Sequence, residues 1–108
     1  MPEMRFVVRW PDGERETCYS PSLIVRDYLR EGESYALADF VRLSSEGLRI
    51  GSDRVRTKHG RACSLALAQI ARIEAVAAWF AGDPLARVEC ERFLLEGKGI
   101  LDERQSPL

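Results

Sequence analysis

The chain has 108 residues, enough for one modest core, and its 45% hydrophobic and 31% charged content is ordinary for a globular domain. Sixteen basic residues face seventeen acidic ones, a net charge of −1 that argues against bulk electrostatic binding of nucleic acid. No charge-free apolar run is long enough to span a membrane, no basic-then-apolar leader opens the chain, and three cysteines without Cys-x-x-Cys spacing predict free thiols in a reducing cytoplasm.

Residues 4–10 alternate, with Met4, Phe6, Val8 and Trp10 on one face and Arg5 and Arg9 on the other, which predicts a strand. Pro11-Asp12-Gly13 supplies turn chemistry, and residues 14–19 return as a second strand. Two registers compete. A three-residue loop with a glycine bulge sets Arg9 opposite Arg15, whereas a four-residue loop sets Arg9 opposite Glu16. The turn favours the first and the charges favour the second. Ser20-Pro21-Ser22 ends the hairpin, residues 23–29 read equally as helical turns or an extended arm, and residues 30–34 read as a loop.

A long helix is predicted over 37–58, with Leu37, Phe40, Val41, Ser44, Leu48, Gly51 and Val55 facing inward. Ser44 and Gly51 allow a neighbour to approach closely, while Gly47 and Gly51 mark a place for a kink. Gly60 suits a left-handed cap, with Lys58 and His59 near the negative end of the helix dipole. A second helix runs from Cys63 or Ser64 to Ala81, where only Gln69, Arg72 and Glu74 are polar beyond Leu65. Those three leave no broad polar face, so this helix needs cover from several sides or from another chain. A third strand follows, with Ala86, Val88 and Cys90 on one face. Residues 96–108 read as a loosely held tail. The order predicts a single α+β domain over 1–95, a three-stranded antiparallel sheet packed on a two-helix hairpin.

Chemistry is sparse. Cys63, at the start of the second helix with Lys58, His59 and Arg61 nearby, is the best candidate for a thiol or anion site. The plainer reading is a small apolar residue beside a solvated basic face. One histidine and no cysteine pair predict no metal site, and nothing implies a cofactor. Cys18 and Cys90 read as core filler. A DNA-binding helix-turn-helix is a weak reading, because the second helix offers almost no polar residues to base edges. Ile73, Val76, Trp79 and Phe80 are candidate interface residues, in a homodimer or against another protein.

The runs MPEMRFVVRWPDG, TCYSPSLIVRDYL, YALADFV and CSLALAQIARIE resemble a small bacterial family of nitrogen-starvation response proteins, over residues 1–82 with a fainter continuation through the third strand. Members of that family are typically encoded beside a nitrilase-like hydrolase, a radical-SAM protein, an acetyltransferase and a flavin-dependent oxidoreductase. The resemblance therefore implies a role in assimilating nitrogen from nitriles or cyanide. It transfers no catalytic residue. The expectation is a non-catalytic accessory protein that acts by associating with itself or with a pathway enzyme.

Overall fold

The computed structural model describes residues 3–61 and 63–95. Four strands, β1 (Met4–Arg9), β2 (Arg15–Ser20), β3 (Glu33–Ala36) and β4 (Arg87–Leu95), form one antiparallel sheet in the order β2-β1-β4-β3. Two helices, α1 (Leu37–His59) and α2 (Ser64–Trp79), pack on it. The α+β class holds, but the sheet has four strands where three were expected. β3 is the addition. Gly32 turns the chain at φ 83°, its N–H bonds the Cys90 carbonyl at 2.7 Å, and the next four residues pair with β4 before running straight into α1. Those four residues carry no apolar alternation. Pairing with β4, not local preference, makes them a strand. The expected tail over 96–108 lies outside the described residues.

The hairpin takes the register that places Arg9 opposite Arg15. Trp10 and Glu14 close the loop with a 2.8 Å bond, and Gly13 sits at φ 91° as the glycine-bulge turn requires. The like charges are tolerated because a third strand supplies an acid. β4 slips by one residue opposite Val7 and Val8, and Glu91 stands at the slip. Its two oxygens accept from Arg9 Nε at 2.9 Å and Arg15 Nε at 2.8 Å. A two-strand charge argument picks the wrong register because the third strand decides the electrostatics.

The core joins Met4, Phe6, Val8, Cys18, Val88 and Cys90 of the sheet to Phe40 and Leu48 of α1 and Ile70, Ile73 and Val76 of α2. Trp10 meets Phe40 edge-on at 5.6 Å, a favoured aromatic geometry. Residues Leu23–Asp27 form a short 3-10 helix, capped by Ser22 Oγ on the Ile24 N–H, and settle the ambiguous stretch in favour of helical turns. α1 runs as one helix past both glycines, so the chain does not break there. Gly51 instead serves close approach. A Cβ there would lie 2.9 Å from Ser22 Oγ and 3.1 Å from Pro21 Cγ.

Two strand N–H groups outside the ladder, one on β2 and one on β4, are each met by a side chain. On β2, the outward Tyr19 N–H donates to Gln69 Oε1 at 2.9 Å. The Gln69 Nε2 is buried with no partner among the described residues, so this amide is held for its oxygen. β3 covers β4 only as far as Cys90. Beyond it, the Phe93 N–H donates to Glu31 Oε2 at 2.7 Å.

Candidate functional site

Two surfaces qualify, and the turn between the helices builds the first. Gly60, at φ 83°, ends α1 with a 2.7 Å bond to the Arg56 carbonyl. Cys63 caps α2, and its own N–H is held by Ser52 Oγ at 3.2 Å. The result is a cleft of about 180 Å³ lined by Lys58, His59, Cys63, Arg54, Tyr19 and Glu3, among others. Three of the four residues singled out from sequence therefore meet. Arg61 does not line the cleft. Sequence reasoning missed Tyr19 and Glu3, which approach from the sheet and carry no local signal toward residue 63. Tyr19 Oη lies 3.9 Å from Cys63 Sγ, and burial, followed by this contact, pushes the phenol up to about 12. Cys63 Sγ meets Tyr19 Oη, and among the described residues no hydrogen bond joins it to His59. Nor do the described residues hold a cluster of His, Cys, Asp or Glu suited to a metal.

The second surface is the exterior of α2 and what adjoins it. Ala66, Ile70, Ile73, Val76 and Ala77 are buried at helical spacing, and the opposite side faces water. That side carries Ala68, Ala71, Ala75 and Ala78 with Glu74 exposed beside them, flanked by Leu65 (60% exposed), Leu67 (47%) and Trp79 (71%). The expected interface set is thus corrected. Trp79 is outward and Phe80 half-buried, but Ile73 (0%) and Val76 (3%) belong to the protein's own core. They lie on the stripe that must face the sheet, a phase that near-uniform apolarity conceals. Arg72 is drawn sideways by Glu16, at 2.9 Å, and its guanidinium lies 5.9 Å from the Trp79 ring centre.

Where α1 begins and α2 ends, a groove of about 580 Å³ opens. Its walls are Leu37, Ala38 and Val41 on one side and Ala77, Ala78 and Ala81 on the other, with Pro84 and Ala86 also lining it. Among the described residues, Arg42 and Asp83 are its only charged linings. Leu85, between Pro84 and Ala86, projects into solvent at 84% exposure. An isolated exposed leucine in a loop has no sequence signature, and this one was missed.

Among the described residues no helix is long and apolar enough to cross a membrane. No curated protein and no solved structure matches the chain. A family model described as nitrogen starvation-induced protein NitG matches residues 5–93, from within β1 through both helices and into β4. The chain therefore belongs to the NitG family of nitrogen starvation-induced proteins.

Proposed function

We propose that this protein is a non-catalytic accessory component of the nitrogen-starvation response, acting in the cytoplasm through protein association. Its context would be nitrile or cyanide assimilation, the pathway that the sequence resemblance implies. One observation carries the proposal. α2 exposes Leu65, Leu67 and Trp79 to solvent along an alanine-rich face, and the neighbouring groove is lined almost wholly by apolar residues. Exposed large apolar side chains beside an apolar groove are typical of association sites, and Trp is enriched among the residues that dominate their energetics. Co-purification with the nitrilase-type hydrolase, together with sedimentation analysis, tests the reading. Association is expected for the wild type and is expected to be lost on Trp79→Asp with the fold retained. A monomer that captures no enzyme of the pathway overturns it.

A second reading rests on the cleft at the helical turn, where a thiol, a phenol, an imidazole and two cationic side chains converge. In that reading the protein binds a small anion there. Full function after Cys63→Ser and Lys58→Ala removes it.

A further inference from the structure

We infer that the groove between the start of α1 and the end of α2 is the seat of a second copy of this chain, related by a two-fold axis that passes beside Leu85. The inference rests on the association reading and names its partner. A two-fold interface must be self-complementary, because each patch meets its own duplicate. This patch meets that condition twice.

The first match is one of shape. The groove offers a hole of about 580 Å³ with a small-residue lining, and Leu85, flanked by two of its lining residues, is a knob 84% exposed. Knob and hole sit side by side, as a patch that meets its own duplicate requires. The second match is one of charge. The lining holds one cation, Arg42, and one anion, Asp83. They belong to different walls, α1 and the segment after α2, and are not bonded to each other among the described residues. Arg42 makes only an exposed 3.5 Å contact to Asp39, three residues earlier in the same helix. A two-fold axis through the patch brings Arg42 of each copy toward Asp83 of the other, giving two reciprocal ion pairs around an apolar centre.

One leucine and two exposed ion pairs make a small contact, so the dimer is reversible and concentration-dependent.

Sedimentation velocity on the full chain from about 1 µM to about 1 mM tests this, with thermal melts to show that each variant is folded. Wild type is expected to pass from monomer to dimer, and Leu85→Asp to remain monomeric. Arg42→Glu and Asp83→Lys are each expected to weaken association by about tenfold, since each turns two attractive pairs into repulsive ones. An equal mixture of these two variants restores both pairs, and its heterodimer is expected to match wild type. Asp83 Oδ1 also accepts the Leu85 N–H at 2.9 Å, so Asp83→Asn, which keeps an acceptor and drops the charge, is measured alongside and is expected to weaken association by about threefold. A wild type that stays monomeric throughout overturns the inference, as does a mixture no tighter than its components. If that monomer captures the nitrilase-type hydrolase and Leu85→Asp abolishes capture, the groove belongs to the enzyme. The second copy is then refuted while the association reading stands. A monomer that captures nothing refutes both.

Discussion

The two helices meet the same core and face water in opposite ways. The exterior of α1 is threaded with charge: Arg42 reaches back to Asp39 and Arg56 to Asp53, each three residues earlier. That of α2 is mostly alanine, leucine and tryptophan, with Glu74 exposed beside them and Arg72 pulled aside to the sheet. A helix needs only one apolar stripe to hold its place in a domain of this size. Outside its buried stripe α1 carries mostly charge, whereas α2 also leaves Leu65, Leu67 and Trp79 in water, where packing does not ask for them.

Paired substitutions test whether the two exteriors differ in kind. Phe40→Ala, inside the core against Trp10, is expected to cost about 3–5 kcal/mol in urea unfolding, whereas Trp79→Ala should stay within about 0.5 kcal/mol. A large loss at Trp79 would make the α2 exterior structural and end the contrast. Gly51→Val should cost about 1–3 kcal/mol, because the α1 backbone lies against Pro21 and Ser22 there. The same measurement on Arg56→Ala, in the charged exterior of α1, should move stability by less than about 0.5 kcal/mol.

The sheet supplies two smaller tests. Hydrogen bonding from Arg15, then from Arg9, holds the Glu91 carboxyl below its usual range. The folded state thus binds that proton less readily than the unfolded chain. Its stabilisation is full above the ordinary carboxylate range, near pH ~4.5, and is lost as pH falls through the lower folded value. Glu91→Gln should remove this acid-limb dependence and lower Tm by a few degrees at neutral pH, measured by melts across pH. Thiol labelling of the native protein should modify Cys63 alone, because Cys18 and Cys90 are buried and burial pushes both thiols up, Cys90 to about 12. Equal labelling of all three would show that the sheet opens.

Much of this was legible in the residues. The hairpin, both helices, the Gly60 cap and the inward face of β4 follow from spacing and turn chemistry, which act over a few positions. What escaped depends on distant partners. β3 exists because β4 has an edge to offer, and the Arg9–Arg15 register survives because Glu91 arrives from residues far along the chain. The candidate cleft follows the same division. Lys58, His59 and Cys63 are neighbours in sequence, while Tyr19 joins them only through the fold. Uniform apolarity hides the phase of α2, which is why Ile73 and Val76 stand among the interface candidates although the core needs them.

The side chains at the sheet's margins bear on all of this. A protein with a greasy helix on show risks uncontrolled polymerisation if its strands are also free to recruit others. Here Gln69 and Glu31 already occupy the rungs at Tyr19 and Phe93, so strand-by-strand growth into fibrils is obstructed at those positions.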